Sequence, residues 1–89
     1  MKYYVYVLRS IPTGRRYIGI AADVERRLQE HNSRSGRWSS HFRPWELFAV
    51  EEFEDRRAAV RREAFLKSRR GMIARKELFA RSERFDEPM

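Results

Sequence analysis

Cysteine is absent from the chain, which excludes disulfides, thiolate-bound zinc and cysteine nucleophiles. Any metal must then be a hard ion held by oxygen, with histidine as an extra ligand. No run approaches the roughly 20 apolar residues that a bilayer span requires. The opening Met1-Lys2-Tyr3-Tyr4 passes straight into strand-like sequence rather than a leader segment, so a soluble, cytoplasmic protein is expected. Internal repeats and low-complexity tracts are also missing. A chain of 89 residues has the length of one domain. At that size about 60–65% of the unfolded surface can be buried, enough for a modest core and too little for a deep, closed cavity. A substrate must lie on the surface.

Lysine is scarce too. Only Lys2, Lys67 and Lys76 of the 20 basic residues are lysine, leaving 17 arginines against 13 acids and a net charge of +7. Such an excess favours polyanionic partners, and arginine suits bidentate phosphate contacts and base stacking. A genomic bias toward arginine codons would exchange lysine for arginine, but it would not create the surplus of basic over acidic residues. Composition therefore points to nucleic acid.

Along the chain, Tyr3 to Leu8 is rich in β-branched and aromatic residues and ends at the turn cluster Ile11-Pro12-Thr13-Gly14. Arg15 to Ala21 follows, and a four- or five-residue loop makes the pair an antiparallel hairpin. Asp23 caps a helix running to about Asn32, with Val24 and Leu28 on its apolar side. Ser33 to Pro44 lacks periodicity and reads as a long surface loop, with Trp38, Phe42 and Trp45 as aromatic anchors. Glu46 to Phe53 reads as a third strand, with Leu47, Ala49 and Phe53 on one face and Phe48 and Val50 on the other. Asp55 caps a helix from Arg56 to about Lys67, Gly71 breaks it, and a last helical piece runs from Met72 to about Phe79. The domain is taken as residues 1–80, with 81–89 a frayed polar tail.

Three features invite a chemical reading. If the hairpin pairs residues whose numbers sum to 25, Tyr6 faces Gly19 and Leu8 faces Tyr17. The two phenols then become diagonal neighbours on one face, about 7–8 Å apart, with the bare backbone of Gly19 leaving an open spot beside them. Half-buried sheet aromatics with hydroxyls reaching water would give the same pattern. On the first helix, Val24, Arg27, Leu28 and His31 form one stripe, placing Arg27 and His31 at the border of the core, while Arg26 and Glu30 pair in solvent. The strongest anomaly is Glu63, a carboxylate on the apolar stripe of Ala59, Val60 and Leu66. Unpaired burial would cost several kcal/mol, so Glu63 needs an arginine, a metal ion or a water-filled cleft.

Tyr4-Val5-Tyr6, then Tyr17-Ile18-Gly19, then Glu25 to Asn32, resemble the GIY-YIG nuclease family. The likeness continues through Arg43-Pro44-Trp45-Glu46-Leu47, Glu51-Glu52-Phe53, Arg61-Arg62-Glu63 and Leu66-Lys67, from Tyr3 to about Phe79. It is greatest to the small stand-alone bacterial members, which are similar to the N-terminal nuclease domain found in the ABC excinuclease. The resemblance implies an α+β fold of order β-β-α-β-α-α, with a three-stranded antiparallel sheet flanked by helices. It also implies nucleic-acid phosphodiester hydrolysis assisted by one Mg2+ or Mn2+ ion, with DNA ahead of RNA and a role in DNA repair or processing.

By the same resemblance, Tyr6 and Tyr17 are the motif tyrosines, Arg27 holds the scissile phosphate, His31 is the His or Tyr one turn later, and Glu63 binds the metal. The first motif reads Tyr-Val-Tyr rather than Gly-Ile-Tyr. Ile20 stands where several nucleases of the family carry a lysine that helps activate a tyrosine, and Ala64 where small relatives commonly have lysine. A fold that has kept its basic face and lost turnover is the alternative, a non-catalytic nucleic-acid-binding module. A third reading makes Trp38 and Trp45 anchors for a repair-complex partner; core packing is their other explanation. The chain is expected to be a monomer or weak homodimer.

Overall fold

The computed structural model of the protein describes residues 1–33 and 38–86. Its elements run β1 (Tyr3–Ser10), β2 (Arg16–Ala21), α1 (Val24–Asn32), a 3-10 turn (Trp38–Phe42), β3 (Trp45–Phe53), α2 (Arg56–Lys67) and α3 (Met72–Asp86). β1 is the central strand of an antiparallel sheet ordered β2-β1-β3. This is the α+β order expected from the sequence.

The hairpin forms because its loop supplies its own hydrogen bonds. Ser10 N–H donates to the Arg15 carbonyl at 2.8 Å and Gly14 N–H to the Ser10 carbonyl at 2.8 Å, with Gly14 at φ +76°, which glycine adopts without steric cost. The expected register is observed: Tyr6 opposes Gly19 and Leu8 opposes Tyr17. Because side chains alternate across a strand, this register sorts the core into two layers. Val5, Val7 and Ile18 meet Phe48, Ala59, Leu66 and Leu78 beneath α2 and α3. Tyr6, Leu8, Ala21 and Trp45 form the other layer, against Val24 and Leu28 of α1.

Both expected caps are present. Asp23 accepts from Arg26 N–H at 3.0 Å and Asp55 from Ala58 N–H at 2.9 Å, satisfying amides that the first turn of a helix leaves unpaired.

Three details differ from the sequence reading. The first is in β3, where Val7 pairs with Ala49 but Leu8 with Leu47, so Phe48 is an extra residue in a bulge. Phe48 therefore joins Ala49 and Phe53 in the α2–α3 layer, while Leu47 and Val50 are exposed. Simple alternation groups Leu47 with Ala49 and Phe48 with Val50 instead.

The second concerns the 33–44 segment, of which 34–37 lie outside the described residues. Its later part is a 3-10 turn rather than open loop. Trp45 is 3% exposed and donates from its indole nitrogen to the Ser39 carbonyl at 2.6 Å, so it belongs to the core and offers no anchor to a partner. Trp38 stays 53% exposed, resting on Phe42 with ring centroids 4.7 Å apart.

The third is the length of α3, which continues past Phe79 to Asp86. The helix therefore includes the first part of the expected tail; residues 87–89 lie outside the described residues. Among the described residues no helix is long and apolar enough to cross a membrane.

Gly71 sits between α2 and α3, buried, with its carbonyl accepting from Arg75 N–H at 2.8 Å. A Cβ here would run into the Phe65 carbonyl, a backbone group that cannot swing aside. Gly71→Ala should therefore lower stability by about 1–3 kcal/mol, as overpacking does. Urea unfolding followed by circular dichroism checks this; an unchanged midpoint would show that the junction yields.

Candidate active site

The hairpin, α1 and α2 supply the candidate side chains, and β2 is an edge strand, so they gather where the sheet ends. Tyr6 comes from the central strand and reaches that edge by lying across Gly19. A Cβ on Gly19 would stand 2.6 Å from the Tyr6 hydroxyl oxygen, 2.7 Å from its Cζ and 3.1 Å from a ring carbon of Tyr17. The place beside Gly19 is thus filled by the phenol ring and is not the open spot expected from the sequence.

Tyr6, Tyr17 and His31 form one aromatic group. Ring centroids are 6.2 Å apart for Tyr6–Tyr17 and 4.7 Å for Tyr17–His31. Trp45 walls the group, 6.4 Å from Tyr17 and 6.3 Å from His31. The Tyr6 hydroxyl lies 3.3 Å from His31 Nε2. With the imidazole neutral and its proton on Nδ1, Tyr6 donates and His31 accepts. Asn32, the next residue, fixes the end of α1 to β3. Its amide accepts from Trp45 N–H at 2.6 Å and donates to the Trp45 carbonyl at 3.1 Å, so His31 is held from both sides.

Tyr6 is 2% exposed, and this burial pushes its phenol well above the usual tyrosine range. Tyr17 adds to the rise, Arg27 opposes it, and the carboxylates of Glu63 and Glu30 add further. All four groups lie near enough to act on the phenol through their charge. Tyr6 is therefore a neutral hydroxyl at any physiological pH. A tyrosinate base at this position would need the reverse shift.

Arg27 is half-exposed and directed at Glu30, with Nη1 3.4 Å from Oε2, while Arg26 reaches the other oxygen of Glu30 at 3.7 Å. The Arg26–Glu30 pair follows from their spacing on α1, and Arg27 shares the same carboxylate. Arg27 also lines a shallow concavity of about 330 Å³ with Tyr3, Asp23, Arg26 and Glu30. Tyr6, Tyr17, His31 and Glu63 do not line it, so the five candidates are neighbours without sharing one hollow.

Glu63 lies one turn from the fully buried Ala59 and Leu66, yet its side chain keeps 24% of its surface. The ion pair it makes is with an ammonium rather than a guanidinium: Lys67 Nζ is 3.6 Å from Oε2. The same Nζ stands 5.8 Å from the centre of the Tyr17 ring. Lys67 thus joins the carboxylate to the phenols, a place that the sequence reading does not give it. A signal for it exists in the sequence, since it stands one turn after Glu63 and is the single lysine of α2.

The donor set bears on a metal. Among the described residues no three His, Cys, Asp or Glu side chains converge. Mg2+ commonly uses one or two carboxylates and keeps several waters, so one partly exposed carboxylate suits it without a closed cage.

Comparison with known proteins places the chain among relatives. The GIY-YIG catalytic domain matches residues 2–76. A UPF0213 protein of Staphylococcus saprophyticus is 32% identical over 68 residues, covering 75% of this chain and 82% of that protein. One from Natronomonas pharaonis is 39% identical over 67 residues, covering 74% and 78%. The solution NMR structure of a UPF0213 protein from Bacillus halodurans matches with a TM-score of 0.51 and 32% identity, covering 88% of this chain and 85% of the other.

The geometry of Tyr6 can be tested in two ways. Its raised phenol stays protonated in the native state while exposed tyrosines ionise near their ordinary value of about 10. In an alkaline titration followed by tyrosinate absorbance, Tyr6→Phe should leave the native signal at about pH 11 unchanged. Loss of a full residue's share of that signal, one part in four, would show that Tyr6 ionises normally. The linkage has a definite sign. The raised phenol contributes stability that is full below the unfolded value of about 10 and declines as pH rises above it. Gly19→Ala should remove about 1–3 kcal/mol of stability, because the ring it strikes is packed. It should also redden and strengthen the tryptophan fluorescence as the aromatic group opens around Trp45; an unaltered spectrum and melting curve would contradict this.

Proposed function

The chain belongs to the GIY-YIG family, and from that premise we propose that it hydrolyses nucleic-acid phosphodiester bonds with one Mg2+ or Mn2+ ion held by Glu63. DNA is the preferred substrate and the cytoplasm the setting, with a role in repair or processing. The family is one of endonucleases in general. The observation that carries the reading here is a carboxylate, on an otherwise apolar helix stripe, within electrostatic reach of the Tyr6 phenol, on which Tyr17 and Arg27 also act and which touches the His31 imidazole.

When bound, the ion held by Glu63 would supply Lewis-acid charge to the phosphate. Arg27 takes the phosphate from the other side. Its bond to Glu30 is long and half-exposed, so a phosphate can compete for the guanidinium and accept a shorter, charge-assisted pair. Tyr6 is too well buried to work as a tyrosinate, and its 3.3 Å contact with His31 offers a different route. The attacking water gives its proton to the Tyr6 oxygen as the Tyr6 proton passes to His31 Nε2, so no free phenolate forms. Tyr17, against the imidazole, limits the ring's rotation and borders the path of the water.

Ile20 favours a second reading. It packs into the α2–α3 layer, apolar, where several nucleases of the family carry a helper lysine. On this reading the chain keeps the fold and the basic face without turnover, a non-catalytic module that binds nucleic acid through its arginines.

A cleavage assay on labelled single-stranded, duplex and branched DNA and on RNA, with Mg2+ or Mn2+, separates the two. The wild type should cleave, and Glu63→Ala and Arg27→Ala should each lose about a hundredfold or more. Equal cleavage by all three would identify a contaminant and sink the hydrolase. Salt-sensitive binding by wild type and Glu63→Ala alike, with no metal-dependent product, would establish the binding module instead.

A further inference from the structure

We propose that Lys67 is the resident counterion of Glu63, that a divalent ion displaces it, and that the released ammonium then contacts the phosphate backbone. The inference rests on the reading of Glu63 as the metal carboxylate. Lys67 Nζ stands 3.6 Å from Glu63 Oε2, one helical turn away, and is 51% exposed where the carboxylate is 24% exposed. A carboxylate facing a core layer needs a compensating charge when no metal is present, and this ammonium provides it. The pair is weak enough to open, since its ammonium is half in water and partners four residues apart on a helix gain little from each other there.

The two cations cannot share the carboxylate cheaply. An ammonium at 3.6 Å occupies the approach to Oε2 and repels a second positive charge brought to the same oxygens. Lysine suits an exchange of this kind better than arginine, being a compact charge on a flexible four-carbon stem with no fixed fork to satisfy. The ammonium already stands 5.8 Å from the centre of the Tyr17 ring, so its way out leads toward the phenols, where a bound phosphate would meet it. A cation for the phosphate is thereby supplied from α2, but only once the metal has arrived. Metal and nucleic acid should consequently bind with positive coupling, because the first frees a charge for the second.

Titration of the full-length protein with Mn2+ alone, at fixed pH and without nucleic acid, tests the exchange by calorimetry or by the paramagnetic signal of free Mn2+. Lys67→Met, and Lys67→Gln as a second neutral variant, should bind Mn2+ roughly three- to tenfold more tightly than wild type, as removal of a nearby like charge predicts. Lys67→Arg, which keeps the charge and adds a fork that can grip the carboxylate, should bind no more tightly than wild type, and Glu63→Gln should lose the site. Lys67 is half-exposed, and thermal melts would verify that each variant is folded. Duplex binding with Ca2+ present should show a log–log salt slope smaller by about one in Lys67→Met than in wild type, and the two slopes should agree without metal. If Mn2+ binds wild type through Glu63 but the neutral variants bind no more tightly, the exchange is wrong and the metal reading stands. Equal slopes with Ca2+ present would refute the phosphate contact. If wild type shows no Mn2+ binding that depends on Glu63, the metal reading itself fails and this inference falls with it.

Discussion

The Tyr6 ring lies across β2 because residue 19 has no side chain, and the rest of the site is arranged around that crossing. A strand side chain ordinarily stands up from the sheet beside that of its cross-strand partner, so any larger residue at 19 would occupy the phenol's place. With glycine there, an aromatic from the central strand delivers its hydroxyl to the sheet edge while its ring stays in the core. His31 and Tyr17 then pack against it, and Asn32 and Trp45 fix the helix that carries the imidazole. The Tyr-x-Tyr and Tyr-Ile-Gly segments therefore describe one object, two strands in a single register with a gap that a ring fills.

Around this neutral aromatic centre the charges divide into those that hold the fold and those left for a ligand. Arg9 pairs with Glu46 at 2.7 Å, Arg62 with Glu51 at 2.9 and 3.1 Å, and Lys2 with Glu52 and Glu54. Arg16 lies over Phe48 and Phe79, covering the apolar layer with its guanidinium plane. Arg56, Arg57, Arg61, Arg69 and Arg70, on α2 and the connector after it, are exposed and make no ion pair with a described carboxylate. The net charge of +7 is thus not spread evenly. Part of its surplus stands on the helix that bears Glu63, where a polyanion following that helix would reduce the repulsion among these arginines and release counterions.

Much of this is legible in the sequence. The hairpin register follows from a short turn between two aromatic strands, and both aspartate caps follow from their position just ahead of a helical period. Glu63 stands out because periodicity alone gives it an apolar place. What escapes has physical reasons. The bulge at Phe48 is a two-against-one mismatch between partner strands, invisible in the alternation of a single strand. The extension of α3 beyond Phe79 runs through mostly polar residues, in which Ala80 and Phe85 are too sparse to give a helical apolar period. The space at Gly19 reads as open because a missing side chain says nothing about which neighbour fills it. Lys67 reads as an ordinary exposed lysine, and only the fold brings its ammonium between Glu63 and Tyr17.

The burial that positions Tyr6 also limits what it can do. A phenol taken out of water, beside a second phenol and with carboxylates in range, resists ionisation, and Arg27 offsets only part of that effect. If water is to be activated here, the proton must move through the hydroxyl without leaving charge on it, which requires an acceptor on the far side. His31 is the side chain found in that place, 3.3 Å away. In the proposed reaction Tyr6 transfers the proton, His31 accepts it and Arg27 meets the phosphate charge, so that reaction does not need a lysine on β2 to acidify the phenol. Ile20 can then serve the core, and the cation the chemistry still wants, one that stabilises phosphate rather than phenolate, is placed one helical turn beyond Glu63.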